Sequence, residues 1–139
     1  NLVQAQSSLE KSVEGDAKDD VALNSLGVTH SLNHQYGLAR KAFSDALALK
    51  PDSLEYRNNL ALAWMLDGNP QQSIRILYPI YQRGEASSKL RLNLALSYAM
   101  SGDADAAKVV AQQDLSQVEL ENNARFYQRV ANKFGGVSQ

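Results

Sequence analysis

The two histidines are the residues best suited to metal chemistry. His30 and His34 lie four positions apart, so on a helix they would share one face. A zinc site needs more ligands than these two, yet no glutamate stands between them in a catalytic pattern and no third ligand is evident. We therefore expect neither a metal nor any other cofactor.

Catalytic patterns are also missing from the rest of the sequence. It contains no glycine-rich phosphate loop and no Gly-x-Ser-x-Gly motif, and its serines, histidines and aspartates form no recognisable triad. There is no cysteine, which excludes disulfides, thiolate catalysis and cysteine-bound metal. These observations predict that the protein is not an enzyme.

Composition and charge narrow the class of partner. The chain has 139 residues, 44% of them apolar and 21% charged, which is typical of a single globular domain. The formal net charge is -1 with both signs interspersed, so no basic surface is available for nucleic acid. Polar residues interrupt every leucine-rich run, so no stretch is apolar enough to span a membrane. We expect a protein partner.

The elements that would position a binding surface come from an internal repeat. The run from Arg57 to Trp64 returns as the run from Arg91 to Tyr98, and each is followed by a Gly-Asn or Gly-Asp turn. An offset of about 34 residues is typical of stacked helix-turn-helix units. In this register His30 occupies the repeat position that Trp64 and Tyr98 fill in the later units, which favours a packing role. His34 falls in a turn.

The first unit carries a recognisable pattern. Its six positions are Leu26, Gly27, Ala39, Phe43, Ala46 and Pro51. Their spacing resembles the tetratricopeptide repeat (TPR) family, which implies an all-α solenoid of helix-turn-helix repeats. The resemblance gives one TPR domain over 1–139. It comprises the second helix of a truncated repeat over 1–15, units over 20–53, 54–87 and 88–115, and a capping helix over 116–135.

Local signals refine these elements. Gly27, like the equivalent Ala61 and Ala95, is expected where two helices approach closely. We predict that the Asp52 side chain caps the helix over 54–67, with Glu55 completing the capping box. Proline lacks the amide hydrogen of a helix ladder, so Pro79 predicts a kink or an early helix end near Leu77-Tyr78. A second capping box, from Ser116 to Glu119, opens the last helix.

The TPR resemblance also implies a binding groove, since in that family the first helix of each unit lines the concave surface. Carried over position by position, the groove consists of Asn24, Val28, Asn58, Asn59, Leu62, Met65, Lys89, Leu92, Asn93 and Leu96, extended by Val21, Glu55 and Met100. The amides could donate to and accept from a peptide backbone, and the apolar side chains would supply adaptable contact. Alternatively, the asparagines solvate this face or bond neighbouring helices.

A chaperone-binding role is not expected. TPR domains that hold chaperone tails use a clamp of lysine, asparagine and arginine side chains, and the corresponding positions here are Asn24, Val28, Asn59, Lys89 and Asn93. Only Asn59 and Lys89 match this clamp. Without the other cations, the site could not hold a C-terminal dicarboxylate by charge-assisted hydrogen bonds.

The C-terminal half resembles a narrower group. The run from Leu92 to Asp103, then Asp114-Leu115 and Asn122-Asn123, resembles the TPR lipoprotein of bacterial tight-adherence (Tad/Flp) pilus assembly systems. This implies a non-enzymatic scaffold that assists pilus or secretin assembly, in the periplasm and associated with the outer membrane. The lipid-bearing cysteine is expected upstream, because a chain beginning with Asn1 indicates an excised fragment.

Two alternatives stay open. The apolar stripe of Leu2, Ala5 and Leu9 could pair with another copy, which would make the chain a structural, homo-oligomerising TPR module of another bacterial assembly. A cytoplasmic location is the alternative to the periplasm.

Overall fold

Helices make up the regular structure of the part of the chain that this computed structural model describes, namely Val3, Ala5, Glu10 and residues 19–135. Between residues 19 and 135 there are seven helices and no strand. They are α1 (Asp20–Leu32), α2 (Tyr36–Leu49), α3 (Leu54–Leu66), α4 (Pro70–Gln82), α5 (Ser88–Met100), α6 (Ala104–Ala111) and α7 (Gln117–Gly135). The predicted all-α class is confirmed.

The helix expected over residues 1–15 is described at three positions only. Val3, Ala5 and Glu10 are helical. Leu2 and Leu9, the other members of the predicted apolar stripe, lie outside the described residues.

Helix starts repeat at a constant interval. Helices α1, α3 and α5 begin at Asp20, Leu54 and Ser88, which are evenly spaced along the chain, and α2, α4 and α6 begin at residues 36, 70 and 104, at the same spacing. The turn before each of α2, α4 and α6 contains a residue with positive φ, namely His34 (58°), Gly68 (85°) and Gly102 (98°), again one repeat apart. The repeat read from the sequence is therefore also a repeat of backbone conformation.

The chain forms two compact units, of which unit 1 ends at Asp67 and unit 2 begins at Gly68. In unit 1, α2 packs against both α1 and α3, and α1 also touches α3. One buried cluster joins Leu23, Ala46 and Tyr56, and a second joins Ala39, Phe43 and Ala63. Each cluster draws residues from more than one helix, so side-chain burial holds unit 1 together.

Helices α1 and α2 of unit 1 approach closely at a glycine. A Cβ atom added to Gly27 would lie 2.5 Å from Cε1 of the Phe43 ring, nearer than real Cβ contacts come. Gly27 is buried, and so are Ala61 and Ala95 at the following repeat positions. The predicted need for a small residue at Gly27 is confirmed.

In unit 2, α5 packs against α4, α6 and α7, and α7 also packs against α6. Leu77 and Ile80 of α4 and Leu90 and Leu94 of α5 are almost fully buried. The last helix buries Tyr127 and Ala131, which lie four residues apart and therefore on one face. Helix α7 thus covers apolar surface in unit 2.

Of the two predicted capping boxes, one has a different capping residue and the other is as predicted. At α3, the Ser53 hydroxyl rather than the Asp52 carboxylate accepts the hydrogen bond from the Tyr56 amide, at 3.2 Å. The prediction was one residue early, because the extended backbone of Ser53 places its side chain at the first turn. The box before α7 is confirmed, since the Ser116 amide donates to Glu119 Oε1 and the Glu119 amide donates to Ser116 Oγ, both at 3.2 Å.

The early helix end expected near Leu77-Tyr78 is wrong. Helix α4 continues through Pro79 to Gln82. The Pro79 carbonyl still accepts from the Arg83 amide at 3.1 Å, and both Leu77 and Ile80 are buried. Burial of apolar side chains on either side of the proline stabilises the turn that the missing amide hydrogen weakens.

Candidate functional site

The exposed apolar residues of unit 1 include a set on its first and third helices. Val21, Val28 and Leu32 follow one another along α1 in steps of seven and four residues, which keeps them on one side of the helix. Helix α3 adds half-buried Asn59 and Leu62 and exposed Leu66. We refer to the surface made by Val21, Asn24, Val28, Leu32, Asn59, Leu62 and Leu66 as the α1–α3 face.

An amide pair joins the two helices of this face. The Asn59 Nδ2 group donates a hydrogen bond of 2.8 Å to Asn24 Oδ1. Both side chains are half-buried, so their remaining polar capacity borders solvent. The suggestion that these asparagines bond a neighbouring helix is correct for this pair, and the bond holds the two amides at a fixed place in the face.

The apolar members of the α1–α3 face are well exposed. The exposed fractions are 64% for Val21, 41% for Val28, 60% for Leu32 and 47% for Leu66. Single exposed apolar residues are common on protein surfaces, whereas a contiguous group is typical of an interaction site. The face therefore combines apolar contact surface with a fixed amide pair.

Two residues predicted for the groove do not reach the surface. The exposed fraction of Asn58 is 4% and that of Met65 is 1%. They lie on the buried side of α3, together with Ala61, because steps of three and four residues return to one helix face. We therefore exclude Asn58 and Met65 from the candidate surface.

Of the remaining predicted groove residues, Glu55 is exposed on α3 and the others belong to α5 of unit 2. Lys89 is exposed, and Leu92, Asn93 and Leu96 are half-buried. Lys89, Asn93 and Leu96 share one helical face, since they lie four and three residues apart. Unit 2 thus presents its own amide and apolar side chain, beside a cation.

The two histidines have different surroundings and different hydrogen-bond partners. His30 is buried, and its Nδ1 forms a hydrogen bond of 2.9 Å with Gln35 Oε1. His34 is exposed in the turn, where its Nδ1 forms a 2.8 Å hydrogen bond with the Tyr36 hydroxyl. Among the residues that the structure describes, no three His, Cys, Asp or Glu side chains come together as a metal site.

A polar contact that the sequence did not reveal joins α1 and α3 at their N-terminal ends. The Tyr56 hydroxyl donates a hydrogen bond of 2.6 Å to Asp20 Oδ2. This bond to a carboxylate, together with burial of the ring, raises the pKa of Tyr56 to about 12. Tyr56 therefore keeps its proton and ties the helices that carry the α1–α3 face.

Unit 2 contains a cavity that sequence reasoning missed. Its volume is about 520 Å³, and the helices α4, α5 and α6 all contribute to its wall. The polar and aromatic side chains around it are Tyr78, Tyr81, Gln82, Arg91, Gln112 and Gln113. We call it the unit 2 cavity.

The arginine in this cavity is held by a carboxylate. Arg91 Nε donates to Asp114 Oδ2 at 2.8 Å and Arg91 Nη2 donates to Asp114 Oδ1 at 2.7 Å, a bidentate pair. The hydrogen bond from Arg91, with a further one from Ser88, lowers the pKa of Asp114 to about 2 against the opposing effect of burial. The same pair raises the pKa of Arg91. The positive charge at the cavity wall is therefore compensated locally.

Sequence signals for the cavity were unequal. The three-residue spacing of Tyr78 and Tyr81 was visible, and it places the two rings on one side of a helix. The partnership of Arg91 with Asp114 was not, because 23 residues separate them and only the packing of α6 brings them together.

Neither the protein-family models nor the curated proteins contain a significant match to this chain. Within the described residues, no helix is long and apolar enough to cross a bilayer. The candidate surfaces must therefore be interpreted from their own geometry.

Proposed function

We propose that this protein is a non-enzymatic scaffold that binds a segment of another protein on the α1–α3 face. The observation that carries the proposal is a set of exposed apolar side chains beside the fixed Asn24–Asn59 amide pair. These apolar residues are Val21, Val28, Leu32 and Leu66. Apolar side chains of a partner would gain burial there, and the amides would satisfy its backbone.

The proposed architecture is a TPR-type solenoid closed by a C-terminal helix. Two observations support it. Helix starts recur at a constant interval, and Gly27 of α1 lies so close to Phe43 of α2 that there is no space for a Cβ. The burial of Tyr127 and Ala131 supports a capping role for α7. In such an array the first helix of each pair carries the binding side chains, which supports Lys89, Asn93 and Leu96 of α5 as a candidate surface of unit 2 in its own right.

The proposed partner is an uncharged or weakly charged segment with apolar side chains. None of the seven residues of the α1–α3 face is charged, so attraction would depend mainly on buried apolar area. The resemblance to the TPR lipoprotein of Tad/Flp systems supplies a setting for this proposal, in which the partner is the pilus secretin or another assembly component in the periplasm, and a lipid anchor upstream joins the protein to the outer membrane.

The test is affinity capture from a bacterial envelope extract with three baits. The parent chain is compared with a Val28→Glu/Leu66→Glu variant and with a Leu38→Glu/Leu49→Glu variant. All four leucine and valine positions are exposed in unit 1, so both variants add the same charge at similar exposure, but only the first changes the α1–α3 face. Circular dichroism must first show equal folding of the three.

We expect the parent and the Leu38→Glu/Leu49→Glu variant to retain the same envelope protein, and the Val28→Glu/Leu66→Glu variant to lose it. Equal retention by all three baits would contradict the proposal. Light scattering on the same samples tests the alternative of self-association. A parent dimer that becomes a monomer in the Val28→Glu/Leu66→Glu variant would assign the face to a second copy of this chain.

A further inference from the structure

The unit 2 cavity presents two tyrosine rings side by side. The ring centroids of Tyr78 and Tyr81 are 6.2 Å apart and their planes are inclined by 36°. Tyr78 is 40% exposed, so a large part of its ring remains available to a ligand. An apolar ring of a ligand can pack against this exposed part of the Tyr78 ring.

The polar groups around these rings mostly carry no net charge and can both donate and accept hydrogen bonds. Gln82, Gln112 and Gln113 contribute side-chain amides, and the two tyrosines contribute hydroxyls. Arg91, the charged residue of the cavity wall, is paired with Asp114. A charged ligand would find no uncompensated charge there, whereas a neutral ligand rich in acceptors would find donors.

A proline-rich segment in the polyproline II conformation has these properties. Proline has no amide hydrogen, so such a segment offers carbonyl acceptors that form no internal hydrogen bonds. A segment of this kind docks on aromatic-lined grooves, and Tyr78 and Tyr81 supply two aromatic rings here. Its conformation is preformed, so binding orders little further backbone.

We propose that the unit 2 cavity is a binding site for a proline-rich, uncharged segment of a protein partner, with Tyr78 and Tyr81 as the ring-packing residues. This site is separate from the α1–α3 face of unit 1. The two proposals rest on different residues, and either can fail alone.

A saccharide is the competing ligand, because aromatic rings and amides also bind sugars. Sugar hydroxyls are donors as well as acceptors, and a site for them gains from a carboxylate that accepts hydrogen bonds. The carboxylate beside this cavity, Asp114, already accepts from Arg91 and from Ser88. The available chemistry therefore favours the proline-rich segment.

The test is a titration of the ¹⁵N-labelled chain, followed by nuclear magnetic resonance. The ligands are a capped proline homopolymer of roughly ten residues, a glycine-serine peptide of equal length and a chitin oligosaccharide. We expect the proline peptide alone to shift the amide signals of residues 78–86 and 109–113. The Val28→Glu/Leu66→Glu variant should respond like the parent.

Three variants assign the contact. Tyr78→Ala should weaken binding of the proline peptide about tenfold, which is the loss expected when an aromatic contact is removed. Tyr78→Phe keeps the ring and should bind within a few-fold of the parent. Phe126→Ala is the matched control, because Phe126 is 41% exposed against 40% for Tyr78 but lies on α7.

The proposal is overturned by any of three results. The first is no signal shift up to roughly millimolar proline peptide. The second is binding that Tyr78→Ala leaves unchanged while circular dichroism shows the variant folded. The third is binding of the chitin oligosaccharide at these signals with none of the proline peptide, which would make the cavity a saccharide site.

Discussion

The contact between α2 and α3 in unit 1 and the contact between α4 and α5 in unit 2 lie one repeat apart, yet they use different chemistry. In unit 1, Ala39 and Ala63 belong to one apolar cluster. The equivalent positions in the next repeat are Ser73 and Ser97, whose hydroxyls form a hydrogen bond of 2.7 Å. All four residues are almost fully buried. A repeated contact can therefore keep its small residues while exchanging apolar packing for a hydrogen bond.

The edge of the same contact differs in the opposite sense, with charged groups in unit 1 and uncharged residues in unit 2. In unit 1 the Arg40 guanidinium lies 4.0 Å from the centre of the Trp64 ring and donates to Asp67 at 2.7 Å. The equivalent positions in the next repeat hold Ile74, Tyr98 and Ser101. A cation, an aromatic ring and a carboxylate are thus replaced by an aliphatic residue, a phenol and a hydroxyl.

The contact between α1 and α2 in unit 1 corresponds to the contact between α5 and α6 in unit 2, two repeats later. In unit 1 this contact pairs Gly27, the smallest residue, with the large Phe43. The equivalent residues in unit 2 are Ala95 and Ala111, both fully buried. Asp114 stands two repeats after buried Ala46 and binds Arg91. The packing of unit 1 thus depends on an aromatic ring, whereas unit 2 has an ion pair near the equivalent position. Substitutions at these residues should therefore affect the stability of the two units differently.

The largest effect should come from Phe43→Ala. The ring is 2% exposed and fills the space beside Gly27, so its loss leaves a cavity that should reduce the free energy of unfolding by about 3–5 kcal/mol. Urea denaturation measures this value. The nearest substitution in unit 2, Ala111→Gly, removes one methyl group and should cost much less, and equal losses would remove the distinction between the units.

Gly27→Ala should be next. Its added Cβ would meet the Phe43 ring at 2.5 Å, and overpacking of this kind costs about 1–3 kcal/mol. A double-mutant cycle with Phe43→Leu checks the cause. The penalty for Gly27→Ala should fall sharply in the Phe43→Leu background, and an unchanged penalty would show that the ring is not responsible.

Acid should act on unit 2. The pKa of Asp114 in the folded chain, about 2, lies below its ordinary value of 3.8. Its contribution is therefore complete above about pH 4 and disappears as the pH falls through 2, a loss of up to about 2 kcal/mol. Unfolding free energies of the parent and of Asp114→Asn, measured across this range, should converge towards low pH, and parallel curves would contradict the assignment.

The buried serines should show coupling. Ser97 Oγ donates to the Asn93 carbonyl, so Ser73 is the donor within the serine pair. Ser97→Ala removes the acceptor for the Ser73 hydroxyl and should cost about 1 kcal/mol or slightly more. The double variant Ser73→Ala/Ser97→Ala reproduces the alanines of unit 1 and should be nearer to the parent in thermal stability than Ser97→Ala is. Additive losses would show that the hydroxyls do not depend on each other.

The smallest effect should come from Arg40→Ile, which gives unit 1 the residue found one repeat later. The Arg40 side chain is 21% exposed and that of Asp67 is 45% exposed, so this surface pair contributes less than about 1 kcal/mol. Trp64 is the single tryptophan of the chain, and its emission should change as the guanidinium leaves its ring. Unchanged emission would show that the stacking does not persist in solution.

Much of the fold could be predicted because it depends on local signals at a fixed period. Helices α3 and α5 begin at Leu54 and Ser88, the first residues of two units predicted from the repeat. The early helix end predicted at Pro79 was wrong because a local rule competed with burial of Leu77 and Ile80, and burial is a property of the packed unit. The cap of α3 misled because Asp52 and Ser53 are both suitable residues, and the backbone angles choose between them.

The candidate surface was harder to predict than the fold. The TPR resemblance placed Asn58 and Met65 in the groove together with Asn59 and Leu62, whereas the structure buries Asn58 and Met65 on the other side of α3. The unit 2 cavity needs Tyr78, Arg91 and Gln112, which come from three different segments. No sequence period relates them, so only the folded unit brings them together.

The turns with positive φ have a consequence for protein engineering. The left-handed conformation is easy for Gly68 and Gly102 but strained for His34, whose bond to the Tyr36 hydroxyl compensates in part. A designer extending this chain by duplication should therefore copy the module that contains Gly68 or Gly102. Concatenating copies of the His34 module would multiply the same backbone strain in every added copy.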